Sequence, residues 1–181
     1  TKYKEKSILK LFLGTLIAVG FSHSTQAQET SKDTTQLQEV VVSSVRAKKK
    51  TPITFSNLSK EELATRNLGQ DIPILMNYLP SVVTTSDAGN GFGYTGIRVR
   101  GSDATRVNVT INGIPYNDSE SHGTFWVNMP DFASSVENLQ LQRGVGTSTN
   151  GAGAFGASLN MLTDNYSTTV NGEISNSFGS F

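Results

Sequence analysis

The run Asn150-Gly-Ala-Gly-Ala-Phe-Gly156 contains Gly151-x-Gly153-x-x-Gly156, a spacing used to cradle dinucleotides. In that chemistry the first glycine makes a tight turn and the second admits the pyrophosphate. The third lets a helix pack on a strand, and the phosphate rests on the helix N-terminus. The motif therefore needs a strand before it and a helix after it. Here residues 144–149 read as loop, and 157–163 alternate apolar and polar as a strand does. A second match, Gly91-x-Gly93-x-x-Gly96, also runs into a strand-like stretch, Ile97 to Arg100. With 17 glycines in 181 residues, such spacings recur without meaning. The context predicts structural glycines. An exported nucleotide-using enzyme would instead require nucleotide binding that depends on Gly153.

Two other sets of residues could do chemistry. Asp118, Glu120 and His122 alternate in the polar stretch 117–130, as metal ligands can, and Phe125 and Trp126 follow as stacking surfaces. The plainer reading is a solvated loop with packing aromatics. Asp118, Ser119 and His122 do not define a catalytic triad, because a triad is a geometry and sequence adjacency rarely supplies it. The second set is cationic: Arg98, Arg100 and Arg143 stand at the ends of strand-like runs. With two histidines and no cysteine, the chain has no disulfides, thiolate metal site or acylated cysteine, and no metal or cofactor is expected.

The elements that must position these residues begin with export. Lys2, Lys4, Lys6 and Lys10 flank an apolar run from Leu11 to Phe21, and small residues lead to Ala27. That order is a secretory signal peptide, residues 1–27, too short for a comfortable membrane span. The chain carries 15 basic and 15 acidic residues; with the leader set aside, 11 and 14 remain, a net charge of −3. No nucleic-acid surface is implied.

Residues 28–50 are rich in Gln, Ser, Thr, Lys and Glu and read as a flexible tail. Inside it lies a β-prone island, Leu37-Gln38-Glu39-Val40-Val41-Val42-Ser43, suited to pairing with another sheet's free edge or to serving as an ordinary first strand. From Ser43 to Pro52 the linker can extend roughly 30 Å.

Composition turns globular from residue 51 to 165. A strand is expected over 52–56. Ser59 and Glu62 form a capping box opening a short helix, and Asp71 is placed to cap a second, with Leu75, Met76 and Leu79 inward and Pro80 as its stop. Strands follow at 82–85 and 97–100. Val107, Val109 and Ile111 alternate with Asn108 and Thr110, and Asn112-Gly113 is a two-residue hairpin turn returning into Ile114-Pro115, an edge strand. Asp131 is placed to cap a helical turn. Leu139 and Leu141 alternate with Gln140 and Gln142 in a strand ending at Arg143-Gly144, and 157–163 is the last strand. This is an α+β unit with a small mixed sheet. Residues 166–181 differ: Val170, Ile174 and Phe178 share one face and Glu173, Ser175 and Ser177 the other, as in a membrane β-strand. One such strand cannot close a barrel, so this reading makes the chain the beginning of a longer protein.

In order, LQEVVVSS (37–44), LPSVV (79–83), GIRVRG (96–101), RVNVTINGIP (106–115), DFASSVENLQLQRG (131–144) and GAGAFGASLNMLT (151–163) resemble the N-terminus of a TonB-dependent outer-membrane receptor. The first resembles the TonB box of such receptors in the Bacteroidetes. The rest resemble the plug-domain blocks, with Asn112 in place of the usual Asp and Val145 in place of the usual Pro. The resemblance spans roughly 37–165.

It implies a plug enclosed by a 22-stranded transmembrane β-barrel whose first strand would begin in 166–181. It implies import of a scarce nutrient complex, such as a ferric siderophore, and no enzymatic activity. The box would pair with TonB of the TonB–ExbB–ExbD complex from the periplasmic side of the cell outer membrane. Arg100 and Arg143 match family arginines that latch the plug to barrel glutamates. Gly101, Gly113, Gly144, Gly151, Gly153 and Gly156 would bend loops against the barrel wall. Glu120, His122, Phe125 and Trp126 are candidate ligand contacts. A free periplasmic binding or signalling domain reusing the plug fold is the alternative.

Overall fold

Val107, Val109 and Ile111 can build a strand only if their apolar side finds a partner layer, and that layer organises the molecule. A computed structural model describes residues 45–151, 153–167, 169, 170, 172, 174 and 176. The expected leader 1–27 and the box 37–43 lie outside these residues.

Among the described residues the main sheet has five strands, in the order β1-β6-β7-β4-β5. These are β1 (Phe55–Ser59), β4 (Val107–Ile111), β5 (Ile114–Pro115), β6 (Val136–Arg143) and β7 (Ala157–Thr163), with β2 (Val82–Ser86) and β3 (Thr95–Val99) forming a separate hairpin. β7 lies between β6, antiparallel, and β4, parallel. The sheet is mixed, as expected. β5 is an edge strand, which suits Pro115, whose nitrogen cannot donate. Asn112 (φ 51°) and Gly113 (φ 81°) make the β4–β5 turn, both left-handed as the favoured two-residue hairpin requires.

Helix α1 (Lys60–Ala64) starts at the expected capping box: Glu62 N donates to Ser59 Oγ (3.4 Å) and Ser59 N to Glu62 Oε2 (2.9 Å). Helix α2 (Ile72–Leu75) has proline in its first turn, but Asp71 does not cap it. The Asp71 carboxylate is buried and accepts from Thr95 Oγ1 (2.8 Å), tying α2 to β3. The expected strand at 52–56 sits at Phe55–Ser59, because its length is set by pairing with β6 from Gln142 to Asn138. Asp131 takes a left-handed conformation (φ 50°) and makes no side-chain cap; its Oδ1 accepts from Asn67 (2.9 Å) and Ser134 (2.7 Å) instead.

Residues paired across neighbouring strands share a face. Leu58, Leu139 and Met161 line one row, and Leu141, Leu159 and Val109 the next. This apolar face packs on Leu63, Ile72, Met76, Val82, Ile97, Trp126 and Met129. The opposite face is polar: Asn57, Gln140, Asn160 and Thr110 form one row across four strands, with Gln142, Ser158 and Asn108 beside it. Gln140 and Gln142 are nevertheless buried.

Part of what covers them is the end of the segment expected to be a flexible tail. Val45 and Ala47 are buried. A turn follows, with Thr51 N donating to Lys48 O (2.8 Å). The unstructured reading of 28–50 therefore fails for 45–47, because glutamine side chains supply the hydrogen bonds a neighbouring strand would.

After β7, the described residues 164–167, 169, 170, 172, 174 and 176 lie in no strand, and Val170 and Ile174 are exposed. The remainder of the expected barrel strand lies outside the described residues. No described helix is long and apolar enough to cross a membrane.

Candidate functional site

The two arginines at strand ends come together. Arg100 follows β3 in a left-handed conformation (φ 52°), as does Ser81 (φ 65°) at the start of β2, and Arg100 N donates to Ser81 O (2.8 Å). Non-glycine residues adopt this region at a cost, usually where the surrounding structure holds a side chain in place. Arg143 ends β6. Its Nε donates to Pro80 O (3.1 Å) and its Nη2 to Ser56 Oγ. A Cβ on Gly144 (φ 93°) would lie 3.5 Å from Arg100 Nη1, so the Arg100 guanidinium lies over Gly144.

Burial, and then the neighbouring Arg100 charge, lower the Arg143 pKa below the ordinary arginine value. Among the described residues neither cation has a carboxylate within ion-pair distance; the pairs present are Lys60–Asp164 (2.6 Å) and an exposed Arg98–Asp103 (4.0 Å). Arg143 is satisfied by neutral oxygens alone, and Arg100 is exposed beside it. The two cations thus meet at the end of the sheet, one buried and one exposed.

The glycines divide by physical role. Gly156 is crowded: a Cβ there would fall 2.5 Å from Ser102 Cβ and 3.1 Å from Arg106 O. Gly101, Gly144 and Gly151 have positive φ, with Gly113 in the hairpin turn. Gly153 has neither constraint. Gly151-x-Gly153-x-x-Gly156 leads into β7 and Gly91-x-Gly93-x-x-Gly96 into β3, so neither opens a helix that could hold a phosphate.

The loop 117–130 separates the candidate ligand contacts. Glu120, His122 and Phe125 are exposed, whereas Trp126 is buried against the core and cannot reach a ligand. A 3-10 turn at Trp126–Asn128 directs the indole inward. Asp118 turns into its own loop. Its Oδ1 accepts from Ser121 N (2.7 Å), Ser121 Oγ (2.8 Å) and Glu120 N (3.2 Å), which holds its pKa below the usual carboxylate value. Among the described residues no group of three metal-ligating side chains converges. Asn117, unremarked in the sequence, anchors the loop: its Oδ1 accepts from Val109 N (2.7 Å) and its Nδ2 donates to Val107 O and His122 O (2.9 Å each).

The chain is similar in fold to FpvA of Pseudomonas aeruginosa, solved with a pyoverdine–iron complex (17% identity, TM-score 0.50, covering 64% of this chain and 14% of that one). It also matches the siderophore receptor PirA from Acinetobacter baumannii (21%, TM-score 0.48, 72% and 19%). A third match is the ferric enterobactin receptor PfeA of P. aeruginosa (24%, TM-score 0.49, 66% and 18%). The chain spans less than a fifth of the length of each of these receptors. No curated protein matches it. The fold itself is α+β with a mixed sheet. The TonB-dependent Receptor Plug Domain family matches residues 47–158, and the chain belongs to that family. It is a receptor plug and not an enzyme.

Proposed function

We propose that this chain is the plug portion of an outer-membrane receptor that imports a scarce nutrient complex, with a ferric siderophore as the class of cargo. Residues 37–43 act as the TonB box, and the TonB–ExbB–ExbD complex drives opening of the plug. Residues 1–27 direct export, and the barrel begins within 166–181. Membership of the plug family supports this reading. The observation that carries it is the Arg100–Arg143 pair, two neighbouring cations with no carboxylate partner among the described residues. Arg143 is buried with neutral acceptors only, and a buried cation without a counter-charge is costly. Carboxylates on an enclosing barrel wall would relieve that cost and make a contact that can break.

Box pairing would run through main-chain hydrogen bonds, so removing one donor tests it. In the complete receptor, Val41→Pro is expected to abolish energy-dependent uptake of a radiolabelled ferric siderophore while leaving its binding to cells unchanged. Normal uptake by this variant would remove 37–43 from the coupling role.

A further inference from the structure

Gln140 and Gln142 use every hydrogen-bonding position they have. Gln140 Oε1 accepts from Ala47 N (2.7 Å) and Gln142 Nε2 (3.0 Å). Its Nε2 donates to Ala47 O (3.0 Å) and Asn57 Oδ1 (2.8 Å). Gln142 Nε2 donates to Val45 O (2.8 Å) as well as to Gln140. Gln142 Oε1 accepts from Asn150 Nδ2 (3.1 Å) and Thr147 N (3.2 Å). A glutamine amide has two donor hydrogens and two acceptor lone pairs, so neither amide can flip without loss. Gln140 takes both main-chain groups of Ala47, as a neighbouring β-strand would. Thr147 Oγ1 adds a bond to Val45 O (3.3 Å).

The seat is polar and uncharged, and what it holds is imperfectly satisfied. Arg46, between the two clasped residues, donates through Nη2 to Asn138 Oδ1, while its buried Nη1 has no partner. Burial lowers the Arg46 pKa. Asn150, which donates to Gln142 Oε1, and Asn160, paired across the sheet with Gln140, also bury an atom without a partner, Oδ1 and Nδ2. Water can satisfy Arg46 and the clasping amides once the strap lifts, which makes lifting cheaper than parting an apolar contact.

We propose that Gln140 and Gln142 form a releasable clasp on the strap Val45–Ala47, the first part of the plug to yield when the chain is pulled from its N-terminal side. The proposal rests on the coupling role given above to residues 37–43, which Ser44 alone separates from the strap. Tension entering there meets Val45 first and passes through Gln142 into β6, the strand that ends at Arg143. Once the clasp opens, residues 45–51 are freed and lengthen the linker by roughly 20 Å.

Two measurements on the 181-residue chain test this without a coupling partner. In Q140L and Q142L, exchange of the Ala47 amide should rise roughly five- to tenfold per lost bond, with the amides of 157–161 unchanged. An unchanged Ala47 amide, or strap and sheet rising together, overturns the clasp. Under tension between a handle N-terminal of Val45 and an anchor at residue 165, a first extension of roughly 20 Å should precede rupture of the sheet. It should move to lower force in the double variant. A single rupture overturns the proposal. Normal uptake by Val41→Pro would remove the coupling role and leave both results standing.

Discussion

One sheet carries two faces built on opposite principles. Leu139, Leu141, Leu159 and Met161 lie on the first, each fully enclosed by helices, hairpin and Trp126. Each such side chain contributes about 1.5–3 kcal/mol by leaving water. Gln140, Gln142, Ser158 and Asn160 lie on the second and are just as buried. Their hydrogen bonds contribute about 1 kcal/mol each, because water makes nearly equivalent bonds when the cover is removed. Burial alone therefore does not measure permanence. Under the proposed function the plug must hold together and still give way, and the two faces would divide those demands.

Neighbours on β7 test that division most strongly. Leu159→Ala is expected to cost about 2–5 kcal/mol in chemical denaturation, from lost transfer energy and a cavity. Asn160→Ala should cost about 1–2 kcal/mol, since its Oδ1 accepts only from Thr110 Oγ1 (2.6 Å) and its Nδ2 has no partner. Equal losses would erase the distinction between the faces.

A smaller effect concerns how β7 enters the sheet. Gly156→Ala should cost about 1–3 kcal/mol by overpacking against Ser102 and the Arg106 carbonyl. Gly153→Ala, with open space around it, should stay within about 0.5 kcal/mol of the parent. If the two behave alike, the close packing at Gly156 is not what retains its glycine.

The smallest effect lies outside both faces, in the loop 117–123. Asp118 has a folded pKa lowered first by the Ser121 backbone N–H and then by its hydroxyl. Its contribution is therefore fully present above the ordinary aspartate value of about 3.9 and is lost as pH falls through the lowered one. An NMR titration should place the Asp118 carboxyl below that value and show Ser121 shifting with it. A titration at the ordinary value would mean that the carboxylate is not engaged.

Much of the local structure was legible. The Ser59–Glu62 box, the Asn112-Gly113 turn and the valine alternation of β4 each depend on a few neighbouring residues, and each formed. That Arg100 and Arg143 lie side by side was not legible, because they meet only through the fold; the resemblance implied for each a barrel glutamate. Gln140 and Gln142 were legible as one face of a strand but not as a buried face: alternation with leucine separates two faces but does not say what covers the polar one. A glutamine facing water and a glutamine holding its own chain leave the same pattern. Asp71 had the spacing of a cap, yet Thr95 from β3 offered a closer partner. Trp126 sat in a polar loop, and only the 3-10 turn sends it into the core.

The central claim is that this plug carries a releasable cover on one face and a lasting core on the other. Native-state hydrogen exchange on the unmodified chain, with denaturant below the unfolding transition, reads both together. The Ala47 amide should open alone, at about 2 kcal/mol for its two main-chain bonds, while amides of 139–141 and 157–161 open at the global value, about 5–15 kcal/mol. One shared opening energy for strap and sheet would contradict the account.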